Sequence, residues 1–260
     1  MKPFFCIPNR TKALLAGFVL ASFAVAHADT MLITYYTIAG TDLDGGKLGL
    51  STSTSYVQNT LGPDGLPVLN PGHEGSGGNA PKDVLGNDEL TWWSPTLNKG
   101  GAGGVSDVTE TGTAVVSLPF AKSNFYAPNG TGKNDSTEFQ AATLSGNIDA
   151  LSAETISFSV SSDDMAFVYL DGVNVCDDGG VHGATAVACT SATVSAGDHS
   201  LEVFYVDLDP TQAVLDFSIT ATSGKGETTT PTPEPSSLLL FGSGLLGLAG
   251  FVRRKVSRKA

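Results

Sequence analysis

Asp163-Asp164 is a pair of adjacent carboxylates set between two stretches that read as strands, Ile156–Ser161 and Met165–Leu170. A hard divalent cation needs several oxygens at short range, and paired carboxylates supply both donors and charge. The competing role for the same pair is capping and turn formation in a scaffold without a ligand. Downstream lie a glycine-rich loop, Asp177-Asp178-Gly179-Gly180-Val181-His182-Gly183-Ala184, and an acidic loop, Asp207-Leu208-Asp209-Pro210. His182 is either a structural loop residue or a contact to a ligand. Asp177 and Asp178 read as solvating their loop, and Asp198 reads as a hairpin-turn residue. Thr41-Asp42-Leu43-Asp44-Gly45-Gly46 begins like a calcium loop. The closing Glu would fall at Ser53, however, and no helices flank it, so this stretch reads as a turn. His73 and Glu74, in a glycine-rich run, read as solvated.

Catalysis is poorly supplied. Nucleophilic chemistry needs a nucleophile, a base and an orienting group close together, yet neither a G-x-S-x-G elbow nor an HExxH motif occurs. A glycosidase needs two carboxyls flanking a bond. Neighbouring residues on an extended backbone point in different directions, which makes Asp163 and Asp164 a poor acid/nucleophile pair. The expectation is a non-catalytic protein.

The elements that must position these residues are strands. Ile156-Ser-Phe158-Ser-Val160-Ser alternates cleanly, as do Leu201–Val206 and Val214–Thr220, and period two means one face on a core. Asp171-Gly172 and Ala196-Gly197 supply turns. Leu32–Ile38, Thr113–Leu118, Val173–Cys176 and Phe139–Ile148, the last with a turn at Ser145-Gly146, read as further strands. No convincing helical periodicity occurs between Asp29 and Thr229. The expected fold is all-β, an antiparallel, jelly-roll-like β-sandwich. Ser51–Gly104 is rich in Gly, Pro, Asn and Ser and reads as an elaboration of the sandwich or a loosely folded insert. Within it, Trp92-Trp93 reads as core or rim packing rather than as a sugar-stacking platform. Asn124–Asp135 reads as a loop.

Ser162-Asp163-Asp164, a strand, Leu170-Asp171-Gly172 and then Gly179-Gly180-Val181-His182-Gly183-Ala184 together resemble the bacterial fibro-slime domain. The resemblance covers about residues 125–222. That family is related to the protective-antigen-type β-sandwich of yeast flocculins and other adhesins. In the lectin branch of that fold an Asp-Asp pair with a cis peptide holds calcium, which grips sugar hydroxyls, and a loop between later strands adds ligands. Carried onto this chain, the resemblance implies calcium at Asp163, Asp164, Asp207 and Asp209, with His182 as a weaker ligand contact and extracellular polysaccharide as the partner. Two aspartates stand where the lectins commonly use Asn. That departure bears on sugar contact more than on calcium.

Both ends of the 260-residue chain read as processing segments. Met1–Ala28 has a basic start, an apolar run and an Ala26-His27-Ala28 site for signal peptidase. Residues 29–223 are expected to form the β-sandwich domain, and 224–232 a Thr/Pro linker. In 233–260, Pro233-Glu234-Pro235, an apolar stretch Ser236–Val252 and Arg253-Arg254-Lys255 occur in order. As a helix the apolar stretch would be roughly 25 Å long, at the short end of what spans a bilayer. The basic cluster should stay cytoplasmic and leave the domain outside. This tail resembles the PEP-CTERM sorting signal. The resemblance implies an exosortase-type processing enzyme as partner, a transient membrane anchor, and a destination at the cell surface or in the extracellular matrix.

Charge and cysteine agree with export. All 26 acidic residues lie between Asp29 and Glu234, against six basic ones, a net charge of −20. Such a surface repels nucleic acid and anionic lipid and suits divalent cations, or simply solubility. Once a leader containing Cys6 is removed, Cys176 and Cys189 remain. In an exported protein a disulfide is the default, with two buried free thiols as the alternative.

Overall fold

The computed structural model describes residues 30–72, 80–123, 138–150, 152–210, 212–221 and 227–229. The expected signal peptide, the tail 233–260 with Pro233, Glu234 and Pro235, and His73, Glu74 and the Asn124–Asp135 loop lie outside them. Among the described residues no helix is long and apolar enough to cross a membrane.

The described residues form eleven strands: β1 Thr30–Ala39, β2 Val108–Ser117, β3 Phe120–Ser123, β4 Glu138–Ala150, β5 Ile156–Asp163, β6 Met165–Leu170, β7 Val173–Asp178, β8 Thr185–Thr190, β9 Gly197–Asp207, β10 Val214–Ala221 and β11 Glu227–Thr229. They make two antiparallel sheets. The larger runs β2-β1-β4-β9-β6-β7, with β11 also paired to β4. The smaller runs β3-β10-β5-β8. Their facing sides enclose one core. Ile156, Phe158 and Val160 of β5 and Leu215 and Phe217 of β10 meet Ile33, Leu144, Val168, Val203 and Tyr205 of the large sheet. The expected β-sandwich is therefore the fold.

Several boundaries differ from the sequence expectation. Ser145-Gly146 is not a turn: Ser145 aligns with Leu32 on one side and Glu202 on the other, so β4 runs straight through. A central strand held by two neighbours has no room to turn. Asp198 is not in a turn either, since it pairs with Asp149 inside β9. Asp177 and Asp178 belong to β7, not to a solvated loop. β8 had no counterpart in the sequence reading. Glu227–Thr229, expected in the linker, pair with Asn147–Asp149.

The segment between β1 and β2 is a folded layer over the outer face of the large sheet. Tyr56, Leu90, Trp92 and Trp93 pack there against Phe139, Phe167, Tyr169 and Phe204, forming a second core. Trp93 meets Phe204 edge-on at 5.2 Å, and its Nε1–H donates to the Tyr205 carbonyl at 2.7 Å. Both tryptophans are buried and neither is a platform. This second layer explains why β6 is buried at every position rather than alternately. A strand covered on both faces needs apolar residues on both.

Cys176 and Cys189 are disulfide-bonded, with Cα atoms 5.4 Å apart. The bridge joins β7, an edge of the large sheet, to β8, an edge of the small one.

Candidate functional site

β5 ends at Asp163 in the small sheet and β6 begins at Met165 in the large sheet, so the chain changes sheets across Asp164 alone. The Asp163-Asp164 peptide is cis. On β6's other flank, Met165 pairs with Val206, which brings the next residue, Asp207, to the same corner of the sandwich. Asp163, Asp164 and Asp207 each present a carboxylate oxygen, all within 4.8 Å of one another. The three residues are 6%, 1% and 0% exposed. The expectation that Asp163 and Asp164 point apart is thus overturned: they share one cluster.

Main-chain donors hold the cluster in place. Asp164 Oδ2 accepts the N–H groups of Leu208 (2.7 Å) and Asp209 (2.9 Å), and Asp207 Oδ1 accepts that of Asp209 at 3.2 Å. The Tyr205 hydroxyl donates to the Asp163 carbonyl at 2.8 Å. Asp209 enters through its backbone N–H and through its charge, which adds to the upward shift of Asp163 and Asp164, while its carboxylate is outside the set of three oxygens that converge. Burial pushes Asp163 up to about 6, partly offset by its hydrogen bond with Asp164. Burial also pushes Asp164 up to about 7, against the Leu208 N–H and with the Asp163 charge adding. Both shifts come first from burial, which disfavours the charged form.

Asp178 links this corner to the glycine-rich loop. Its Oδ2 accepts the Ser162 hydroxyl at 2.7 Å and the Ser162 N–H at 3.2 Å, and its Oδ1 lies 3.2 Å from His182 Nε2. The hydrogen bond with Asp178 raises the His182 pKa. Asp177 Oδ2 accepts the Val57 N–H at 2.9 Å, and burial lifts its carboxyl to about 7. Both aspartates are buried structural acceptors, which corrects their reading as loop-solvating groups. Gly180 has φ +93°, and a Cβ there would stand 2.6 Å from the Ser51 carbonyl oxygen. Only glycine allows this loop to lie against Ser51–Ser53. The two segments border an open cavity of about 370 Å³ lined by Thr52, Ser53, Thr54, Asp178, His182 and Thr185.

A second group of converging carboxylates, Asp42, Asp83 and Asp107, lies on the outer layer. Sequence reasoning singled out Asp42 only as part of a turn and missed the other two. No local spacing could have found them, because they come from three remote segments.

Residues 231–255 match the PEP-CTERM protein-sorting motif, a signal for export and cell-surface sorting. No curated protein matches the chain. Similar solved structures include a PA14 sugar-binding domain from an RTX adhesin, 28% identical with a TM-score of 0.30 over 35% of this chain and 50% of that one. Another is the PA14 domain of the MpAFP antifreeze protein, 20% identical with a TM-score of 0.32 over 40% of this chain and 64% of that one. A third is the epithelial adhesin 9 A domain from Candida glabrata in complex with Galβ1-4GlcNAc, 10% identical with a TM-score of 0.36 over 78% and 85%. The chain thus spans less than two thirds of the length of the first two.

Proposed function

We propose that this is an exported, non-catalytic, carbohydrate-binding β-sandwich protein of the cell surface or extracellular matrix, with calcium held by Asp163, Asp164 and Asp207. The observation that carries the reading is the convergence of those three buried carboxylates at one corner. Oxygens sharing a calcium ion at 2.3–2.6 Å stand at most about 5 Å apart, and the spacing of up to 4.8 Å fits. The donor chemistry fits too, since hard oxygen ligands with excess negative charge suit calcium. When bound, calcium would accept sugar hydroxyls as further oxygen ligands. The neighbouring cavity supplies the rest of such a site: the hydroxyls of Thr52, Ser53, Thr54 and Thr185 and the His182 ring border it. His182 is here a ligand contact, held by Asp178. Asp209 serves by donating its N–H to Asp164 and Asp207.

The likeness of Ser162–Gly172 and Gly179–Ala184 to fibro-slime sequences supports the same reading. In this account signal peptidase removes Met1–Ala28, the apolar stretch after Pro233-Glu234-Pro235 anchors the chain briefly, and an exosortase-type enzyme processes the tail.

Glycan-array binding of the protein with calcium and with chelator tests this directly, alongside Asp163→Asn/Asp207→Asn. Binding should require calcium and vanish in the variant. Binding unaffected by chelator would overturn the calcium role. Calcium uptake without any glycan signal would favour a structural matrix or surface-coat protein instead.

A further inference from the structure

We infer that Asp42, Asp83 and Asp107 form a second divalent-cation site, best suited to calcium, that fastens the outer layer to the base of the β1–β2 pair. Its position is independent of the corner site. Asp42 follows β1, Asp83 lies within the outer layer, and Asp107 immediately precedes β2. A single ion among them would close the whole excursion between those strands.

The carboxylates are arranged as ligands are. Asp42 is 0% exposed and Asp83 1%. One oxygen of each is held by a donor. Asp42 Oδ1 accepts the Asp44 and Gly45 N–H groups at 2.6 and 3.0 Å, and Asp83 Oδ2 accepts Asn98 Nδ2 at 2.8 Å. The other oxygen of each, Asp42 Oδ2 and Asp83 Oδ1, is buried and accepts no hydrogen bond, as is true of both Asp107 oxygens. These unsatisfied atoms face one spot. A Cβ added to Gly100 would fall 1.9 Å from Asp83 Oδ1 and 2.8 Å from Asp42 Oδ2. The Asn98 side-chain oxygen in turn fixes the flanking backbone, accepting the Gly100 and Asp107 N–H groups at 3.1 and 3.2 Å.

Buried anionic oxygens without donors are strongly unfavourable unless neutralised. The neighbourhood compensates only in part. Asp44, also fully buried, adds negative charge while its own oxygens are taken by the Lys82 and Asp83 N–H groups and Trp92 Nε1. Lys47 donates its ammonium to the Asp42 main-chain carbonyl. Either a cation or shared protons must occupy the gap. With oxygens within 4.8 Å of one another and drawn from three segments, the geometry is that of a calcium ligand set.

The test is calcium titration of the purified full-length protein by calorimetry, run on wild type, Asp163→Asn/Asp207→Asn and Asp42→Asn/Asp83→Asn. Wild type should take up two ions per chain and each variant one. Terbium in place of calcium adds a site-specific readout. Trp92 donates to Asp44, whose N–H binds Asp42, so indole-sensitised terbium emission should persist in the Asp163→Asn/Asp207→Asn protein. Absence of both calcium heat and sensitised emission in that variant would overturn the second site, whether or not Asp42→Asn/Asp83→Asn folds. If wild type binds one ion and Asp163→Asn/Asp207→Asn still binds it, the corner site fails and this one stands. If the occupant is protons, Asn substitution at Asp42 and Asp83 leaves the calcium-induced rise in melting temperature unchanged, which also overturns the inference.

Discussion

The two carboxylate clusters reach the same local chemistry by opposite routes. At the corner, all three aspartates sit on or directly beside strands, and ladder pairing sets the frame: Met165 against Val206 determines where Asp207 arrives, and a few main-chain donors then hold the carboxylates. On the outer layer, Asp42 and Asp83 sit in irregular segments outside the named strands, placed by bonds to Asn98 and to Asp44, which is itself held by the Trp92 N–H. A site set by ladders tolerates change elsewhere, because many backbone bonds hold it. A site set by loop packing stands or falls with the apolar layer beneath it.

Disrupting that layer should separate the two most sharply. Trp93→Ala removes a buried indole and its bond to the Tyr205 carbonyl, and large aromatic-to-alanine core changes cost about 3–5 kcal/mol. Urea unfolding should show that loss, with terbium emission from the outer cluster abolished and calcium uptake at the corner kept. A loss under about 1 kcal/mol, on the scale of ordinary surface changes, would mean the layer is not held as described.

Next in size is the disulfide, which joins the two sheets that meet at the corner. The bridge spans 13 residues between β7 and β8, and closing a loop of that length contributes roughly 3 kcal/mol. Cys176→Ser/Cys189→Ser should lose about that much in denaturant melts while leaving the outer cluster's calcium affinity unchanged. Equal losses of affinity at both clusters would erase the distinction. Ser162→Ala is milder. It removes the hydroxyl donor to Asp178 and should cost about 1 kcal/mol, read as a shift in the unfolding midpoint.

The smallest effect is a control belonging to neither cluster. His199 Nδ1 lies 2.6 Å from Asp171 Oδ2, its Nε2 meets the Ser195 carbonyl at 3.0 Å, and Asp198 adds negative charge nearby. The Asp171 hydrogen bond raises the His199 pKa above its ordinary 6.5. A raised folded value means the protonated form is favoured by folding. The stabilisation is therefore complete below about pH 6.5 and is lost as pH rises through the folded value. Melting temperature should fall by about 1–2 °C over that interval and should not do so in Asp171→Asn.

Much of the corner was legible in the sequence because its signals are local. Alternation marked β5, β9 and β10, and an adjacent Asp-Asp pair between two strands needs no long-range information. Yet which downstream aspartate contributes its carboxylate was not legible. Asp207 joins the converging oxygens, and Asp209 adds its N–H and a nearby charge, a difference set by where β9 stops pairing with β6. β4 was misread as turning because Ser-Gly is a turn signal, and nothing local reports that both its neighbours bind there. Of the outer layer only the packing role of Trp92-Trp93 was legible; its segments lack periodicity and are held by isolated bridges and buried indoles, so its path could not be read.

By itself the sequence determined the all-β class, the excess of acidic residues, the sorting motif and the identity of one carboxylate pair, and it marked Cys176 and Cys189 as candidates to pair. These depend on residue type and short-range period. Tertiary structure alone decided that the region after β1 forms a second core, that β6 is covered on both faces, and that Asp42, Asp83 and Asp107 meet. The physical reason is that convergence of remote groups depends on strand register and on which surfaces pack together. Those are set by the sum of many weak apolar contacts, and no single short stretch encodes them.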